Sequence, residues 1–284
     1  MKKNKSPLVT VSIPTYNSAK TLTLCLESVA SQTYKNIEIN IVDKNSTDTT
    51  LEIAKKYKCK IINYPKALLG ARYQGVKEAN GDYILMLDSD QVLEKTAVER
   101  SIEKIKSKNL DMLILEEHVY KTDTFIEKLF EMDRTLIHKV KDLSPYTGVV
   151  LPRFYRKSLL LDTFKNIPLK TQENVGGQDH AIIYYEAYKI SKKVDILPKA
   201  VYHIEPSSLK VMWRKFYRWG YTSVDARYDK YDEMLSKKER FRTGLFSKGL
   251  FKESIGSILL LLIKGVPYKI GYYSAKVKSY GKKD

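Results

Sequence analysis

Two hydrophobic periods alternate along the first hundred residues. Leu8 to Ile13 is an apolar, β-branched run stopped by Pro14, which predicts a buried strand. Leu22, Cys25, Leu26, Val29 and Ala30 then recur at helical spacing and predict a helix with one apolar face, opened by Ser18 as its cap. Ile37 to Val42 predicts a second strand ending at Asp43. A helix through Tyr57 follows, with Thr47 or Asp48 available to cap it. Lys60 to Asn63 is a short third strand, and Leu69 to Ala79 a helix stopped by Asn80-Gly81. Tyr83 to Leu87 is a fourth strand that runs straight into Asp88-Ser89-Asp90.

Strands alternating with helices predict an α/β fold, with a mostly parallel central sheet covered on both faces. In such sheets ligands bind beyond the carboxyl ends of the strands. The polar clusters Pro14 to Asn17, Asp43 to Ser46 and Asp88 to Asp90 all fall at those ends.

The second half is less regular. Lys95 to Ser107 predicts an amphipathic helix, Asp111 to Leu115 a strand, Thr122 to Lys141 a highly charged helix and Gly148 to Phe154 an extended segment. Asp179 to Ile190 predicts a helix after the flexible pair Gly176-Gly177. Ala200 to His203 is a short extended piece. Ser207 or Ser208 opens a long helix with Leu209, Met212, Trp213, Phe216 and Gly220 on one face. A soft boundary near Lys230 to Lys237 predicts two parts: a main domain over residues 1–230, and a basic, partly amphipathic helical tail over residues 231–284.

Composition narrows the partners. The chain has 284 residues, 43% of them hydrophobic, enough for a sizeable core. Fifty lysines and arginines against 33 acids give a net charge of +17, which favours nucleotide diphosphates, lipid headgroups or nucleic acid. Cys25 and Cys59 lack Cys-x-x-Cys spacing and read as buried thiols without a disulfide. No apolar run follows the basic start, Met1 to Ser6, so it is not read as a secretory signal. The longest strongly apolar stretch, Ile255 to Ile263, falls short of the ~20 residues of a spanning helix. A cytoplasmic location is therefore expected. In the tail, Leu250, Phe251, Ile255 and Ile258 to Ile263 stand beside Lys248, Lys252, Lys264 and Lys269, with Tyr268, Tyr272 and Tyr273 nearby. That pattern suits a helix lying in the headgroup layer of an anionic membrane. A C-terminal helix packed on the core is the competing account.

Asp88-Ser89-Asp90 sets two carboxylates at the end of a buried strand. A hard cation such as Mg²⁺ or Mn²⁺ takes oxygen ligands of this kind together with substrate phosphates. The plain alternative is a solvated turn.

Three stretches together resemble the family-2 inverting glycosyltransferases with the Rossmann-like GT-A fold. They are Val11-Ser12-Ile13-Pro14-Thr15-Tyr16-Asn17, Ile41-Val42-Asp43-Lys44-Asn45-Ser46-Thr47-Asp48, and Gly70-Ala71-Arg72 followed by Ala79-Asn80-Gly81-Asp82-Tyr83-Ile84 and Asp88-Ser89-Asp90. Their order and spacing match over Val9 to Leu93. Lys44 and Asn45 stand where many relatives carry an acid and a glycine, which leaves the nucleotide base open. The resemblance implies that Pro14, Tyr16 and Asp43 line the nucleobase pocket, with Arg72 beside the nucleotide. It implies that Asp88 holds the ribose or a metal-bound water, and that Asp90 binds Mn²⁺ or Mg²⁺ bridging the diphosphate.

Gly176-Gly177-Gln178-Asp179-His180 is similar to the family's Glu-Asp motif, with Gln178 in place of the usual glutamate. Asp179 is then the implied base. Its other reading is a first-turn acid facing the helix dipole, and Glu173 is the fallback base. His203 is an implied further metal ligand, and imidazole suits Mn²⁺ better than Mg²⁺. His180 flanks the base, and His118 and His138 are read as positions without chemistry. Lys210, Arg214, Lys215 and Arg218 surround the apolar face of the helix from Ser208. They read either as a solvated basic face or as a site for an anionic acceptor or a membrane surface. Thr147 to Arg153 and Gln172 to Asp179 are expected to shape the sugar and acceptor pocket.

The resemblance thus implies transfer of a sugar from a UDP-sugar or GDP-sugar to a glycan or lipid-linked acceptor, at the cytoplasmic face of a membrane. A non-catalytic protein binding nucleic acid or lipid would explain the charge but not the acids at strand ends. The chain carries no recognised nucleic-acid module, so no nucleic acid partner is expected. A nucleotidyltransferase would share the sheet and the carboxylates but release pyrophosphate.

Overall fold

The computed structural model describes residues 6–139, 142–146, 150–223, 229–240 and 249–280. Residues 147–149, expected to begin an extended segment and to shape the pocket, lie outside the described residues. So do residues 140–141 of the expected charged helix, Lys248, and most of the basic start.

The first half follows the sequence pattern. β1 (Val9–Thr15), β2 (Ile37–Asp43), β3 (Lys60–Asn63) and β4 (Tyr83–Met86) are parallel in the order β3-β2-β1-β4. They are joined by α1 (Ala19–Ala30), α2 (Thr50–Lys56) and α3 (Leu68–Lys77). Each residue of β4 is buried, and the faces alternate. Tyr83 and Leu85 enter the cluster under α1 and α2, whereas Ile84 and Met86 enter the one under α3. A strand buried on both faces reads as an unbroken apolar run, as this one does. Ser18 stands at the α1 N-cap position, but its side chain makes no capping bond. Its hydroxyl serves the strand-end loops instead, accepting from the Tyr16 N–H (3.3 Å) and pairing with Ser89 Oγ (3.0 Å). Asp48 does accept the Thr50 N–H at 3.0 Å at the start of α2.

The second half comprises β5 (Gln91–Leu93), α4 (Ala97–Ser107), β6 (Met112–Val119), α5 (Phe125–Ile137), β7 (Pro152–Arg156), α6 (Lys157–Lys165), α7 (Leu169–Asn174), α8 (Asp179–Ile190) and β8 (Val194–His203). β7 runs antiparallel between β4 and β6. β8 is parallel to β6 and antiparallel to β5. The full order is β3-β2-β1-β4-β7-β6-β8-β5. Three residues that the sequence pattern assigns to no element, Gln91 to Leu93, thus form the far edge. Their pairing returns the end of β8 to the end of β4.

A third apolar cluster joins α5, α9 (Leu209–Ser223) and α11 (Phe251–Tyr280). α10 (Asp229–Arg240) adds Tyr231, Met234 and Leu235 to the α8 side of the core. On α9, Met212, Phe216 and Gly220 are buried as expected, but Leu209 and Trp213 are about half exposed.

The tail differs from expectation in length. The apolar stretch does not stop at Ile263. One helix of 30 residues continues to Tyr280, and Phe251–Val277 is long and apolar enough to cross a bilayer by length and composition, with mean hydropathy 1.3. Lysines and glycines hide this in the linear sequence. In space Lys264 turns inward to Asp133 at 3.4 Å, and Ser254, Gly256, Ser257 and Gly271 form the packed side. Ile255, Leu262, Val266, Ile270, Tyr273 and Val277 point outward as an exposed stripe at helical spacing. The helix therefore buries small and polar residues together with Leu260, and exposes most of its large apolar ones.

Candidate active site

The parallel register sets Thr15 opposite Asp43, so the ends of β1 and β2 meet. Asp43 is buried there. Its Oδ1 accepts from Thr15 Oγ1 (2.7 Å) and Ser46 Oγ (2.6 Å), and its Oδ2 from the Ser46 N–H (2.8 Å). A carboxylate offers about four lone-pair sites, so one more donor can be taken at Oδ2. Pro14 does not stop β1 as expected but is its last residue but one, since Thr15 still pairs with Asp43, and Tyr16 is 58% exposed just beyond. Asn17 and Asn45 both adopt positive φ (49° and 53°), and Asn17 Oδ1 accepts the Thr47 N–H at 2.8 Å, locking the two loops together. Pro14, Tyr16 and Asp43 thus share one rim, as the sequence pattern anticipates.

Beyond that rim lies a buried chain of alternating charge. Arg72, fully buried on α3, donates from Nε to Asp179 Oδ2 at 2.9 Å and from Nη2 to Asp88 Oδ1. The other oxygen of Asp88 accepts from Arg153 Nη1 at 2.9 Å. Arg153 continues to Glu117, Glu117 to Arg134, and Arg134 to Glu205. Glu205 Oε1 lies 3.4 Å from His203 Nδ1, and His203 Nε2 lies 3.4 Å from Asp90 Oδ1. Sequence reasoning brought together Asp88, Asp90, Arg72, Asp179 and His203. It did not single out Glu117, Arg134 or Glu205, and met Arg153 only as a pocket wall. A lone arginine inside the otherwise apolar run Val149 to Phe154 was the available signal.

The β5–β8 pairing makes the Asp90–His203 contact. Gln91 faces His203 in the ladder, and the Ile204 N–H donates to Asp90 O at 2.8 Å. Asp90 is one-third exposed, so a ligand can reach it from outside. Among the described residues no three His, Cys, Asp or Glu side chains converge to hold an ion unaided. Asp90 and His203 supply two donors, and the second imidazole nitrogen faces Glu205, the outer-shell carboxylate that ligating histidines use. These residues fit a divalent ion whose remaining ligands come from a diphosphate and water. Each oxygen of Asp88 already accepts from one arginine.

The acids are tuned for charge. Burial raises the Asp88 carboxyl, but Arg72 and Arg153 outweigh it and hold it well below the usual carboxylate range. Burial also raises Asp179, and the Arg72 guanidinium that donates to it brings it below its ordinary value. Glu205, buried against His203 and Arg134, falls to about 2. His180 accepts at Nε2 from Arg153 at 2.9 Å. Burial, with Arg72 and Arg153 beside it, depresses its imidazole to about 3, so it is neutral. Asp179 opens α8 directly after Gln178, which adopts positive φ (62°) and turns the carboxylate toward Arg72. Glu173 lies on α7 and pairs with Lys66, apart from this chain of charges. A hollow of about 390 Å³ lined by Tyr146, Tyr185, Lys230, Glu233 and Met234 belongs to the α8–α10 contact and includes none of the strand-end acids.

Comparison with known proteins agrees with this geometry. The family described as "Glycosyl transferase family 2" matches residues 10–181. "Glycosyltransferase GlyA" of Streptococcus pneumoniae is 27% identical over 239 residues, covering 77% of this chain and 33% of that protein. "UDP-Glc:alpha-D-GlcNAc-diphosphoundecaprenol beta-1,3-glucosyltransferase WfaP" of Escherichia coli is 44% identical over 100 residues, covering 34% of this chain and 40% of that protein. The chain thus spans well under half the length of these relatives. The crystal structure of S. aureus TarS 1-349 in complex with UDP-GlcNAc shares the fold, with TM-score 0.58 and 18% identity over 98% of this chain and 92% of that one.

Proposed function

The chain belongs to glycosyl transferase family 2, and on that footing we propose that it is an inverting, metal-dependent glycosyltransferase moving a sugar from a nucleoside diphosphate to an acceptor hydroxyl. The observation that carries this reading is Asp90 beside His203 at the sheet's ligand-binding edge, joined by the charge chain to Asp179. Pro14, Tyr16 and Asp43 receive the base, and the free valence of Asp43 Oδ2 takes a base N–H. Asp88, fixed by two arginines, presents a fully ionised edge to the ribose or to a metal-bound water. Arg72 orients Asp88 and Asp179 rather than touching the nucleotide, because its guanidinium is buried between them.

Asp90 and His203 would hold Mn²⁺ or Mg²⁺, which would supply positive charge against the departing diphosphate. Asp179 accepts the proton of the attacking hydroxyl. Its pairing with Arg72 keeps it ionised and aimed, at some cost in basicity. The donor is a UDP-sugar or GDP-sugar. TarS, with the same fold, was crystallised with UDP-GlcNAc, and WfaP is named for a UDP-Glc donor and a diphosphoundecaprenol-linked acceptor. A lipid-linked or cell-surface glycan acceptor suits the outward apolar stripe of α11.

Residues 1–230 are the transferase unit in this reading, and residues 231–284 a basic appendage that seats it on the cytoplasmic face of a membrane. Lying along the surface is favoured over crossing. To cross, α11 would have to leave α5 and α9 and bare Lys264 and Asp133. The test is nucleotide binding. Wild type should bind UDP or GDP with Mn²⁺ and weakly without it, and Asp90→Asn should remain folded and lose the metal-dependent part. Normal sugar transfer by Asp90→Asn would refute the assignment. Release of pyrophosphate instead of a nucleoside diphosphate would make the protein a nucleotidyltransferase.

A further inference from the structure

Lys215 is unused by the chemistry above. It lies on α9 with its side chain 20% exposed, and its Nζ stands 3.8 Å from Asp90 Oδ2 and 3.8 Å from Glu205 Oε2. The ring of Trp219 lies 5.4 Å from the same nitrogen. Both carboxylate distances exceed a hydrogen bond, so the ammonium is held by the local field and can turn. Lys210, Arg214 and Arg218 on the same helix are exposed to solvent, so position and not mere basicity singles Lys215 out.

Asp90 is therefore flanked on both oxygens, by His203 at Oδ1 and by Lys215 at Oδ2. The buried chain holds five carboxylates (Asp88, Asp90, Glu117, Asp179, Glu205) against three guanidiniums (Arg72, Arg134, Arg153). Lys215 reduces that excess of two negative charges to one. A bare dication on Asp90 and His203 would meet an ammonium a few ångströms away, and in a partly buried site like charges repel strongly. A diphosphate reverses the sign, because its oxygens pair with the ion and the ammonium together.

We propose that Lys215 binds the donor diphosphate and makes ion binding conditional on nucleotide. Without nucleotide, Lys215 pairs with Asp90 and opposes the ion. With nucleotide, its ammonium turns to the diphosphate and stabilises the charge that leaves with it. This rests on the glycosyltransferase reading.

The test uses the full chain and two equilibria. Binding of Mn²⁺ alone is followed by the paramagnetic resonance of the free aqueous ion. Binding of UDP and of GDP at saturating Mn²⁺ is followed by calorimetry. Lys215→Met should bind Mn²⁺ alone several-fold more tightly. It should bind nucleotide about ten- to a hundredfold more weakly, the scale of one hydrogen bond to a charged group. Lys215→Arg should stay near wild type in both, and Lys215→Gln should repeat the opposite shifts should Met disturb α9. Two affinities that fall together, or neither moving, would overturn the inference and leave Lys215 a structural residue. Wild type that binds neither nucleotide with Mn²⁺ would instead sink the glycosyltransferase reading, and the role of Lys215 with it.

Discussion

Replacing Gly220 by alanine tests how the outer helical layer is held. α9 and α11 cross with glycines on both sides of the contact. A Cβ added at Gly220 would lie 2.7 Å from the Tyr268 carbonyl carbon and 3.0 Å from its Cα, with the carbonyl oxygen nearer still. At Gly271 the obstacle is the Tyr217 carbonyl, whose carbon would be 2.9 Å away. Ordinary Cβ contacts begin at 3.4 Å, so the helices must separate by more than an ångström. The obstacle is backbone, which no rotamer change can move. Overpacking of this kind costs about 1–3 kcal/mol. Alanine's better helix propensity returns up to about 1 kcal/mol. The net expectation for Gly220→Ala is a loss of about 1–2 kcal/mol.

Gly265, on the same helix, has nothing within 4 Å of its added Cβ. Gly265→Ala should therefore gain about 0.5–1 kcal/mol from propensity alone. Urea titration of the two variants and wild type, followed by circular dichroism, gives the comparison. A Gly220→Ala protein as stable as wild type, or a Gly265→Ala protein that loses as much as Gly220→Ala, would refute the close-crossing account.

Other expectations follow from the charge chain and the outer face. Asp179→Asn should leave Mn²⁺-dependent UDP affinity intact and lower turnover by ~10²–10⁴-fold, while Glu173→Gln, which touches only the Lys66 pair, should be near wild type; the reverse pattern would move the base to Glu173. His138 accepts the Glu117 N–H at 2.9 Å, and burial lowers its imidazole to about 4; His180 is lowered to about 3. Both folded values lie below the unfolded 6.5, so the unfolded chain binds more protons as pH falls under 6.5, and stability is full above that value and lost below it. With about 1.36 kcal/mol per unit for each group, moving from pH 7 to pH 5 should remove roughly 2–4 kcal/mol; an unchanged urea midpoint would contradict the neutral assignments. Leu262→Gln with Val266→Gln, on the outward stripe of α11, should reduce flotation with anionic vesicles without changing UDP affinity. Equal flotation of variant and wild type, or wild type that ignores such vesicles at low salt, would count against membrane seating.

The first half of the fold was legible because its strands are buried on both faces and its helices on one. β4 is apolar at every position, and the α1 face repeats at helical spacing, so period alone separates them. Asp179 to Ile190 was legible to the residue, since two glycines and an acid mark its start. β8 was visible only at Ala200 to His203, because Lys199, Pro198 and Asp195 interrupt its apolar pattern while its neighbours β6 and β5 supply the order. α6 and α7 carry short, mixed faces and gave no clear period. The buried acids of β6 were missed for a related reason. Leu115-Glu116-Glu117-His118 looks like a strand running out into solvent, yet Glu117 is covered by Arg134, Arg153 and Gln91, which come from three distant segments. Pairing between far residues carries that information, and a local window does not contain it.

The three-residue edge β5 has a consequence for the order of assembly. The rim proposed to receive the nucleotide base needs only β1, β2 and their loops, which leave the ribosome early and pair with near neighbours in the chain. The proposed ion site needs β8 to dock against β5, so Asp90 waits for His203 until two further strands and five helices have been made. Such non-local pairing is the slow kind. A nascent or truncated chain ending before β8 would then carry the β1–β2 rim and Asp90 but no His203 beside it. On the proposed reading, the protein would grip a nucleotide before it could hold an ion beside it, and transfer would be withheld until β8 had docked.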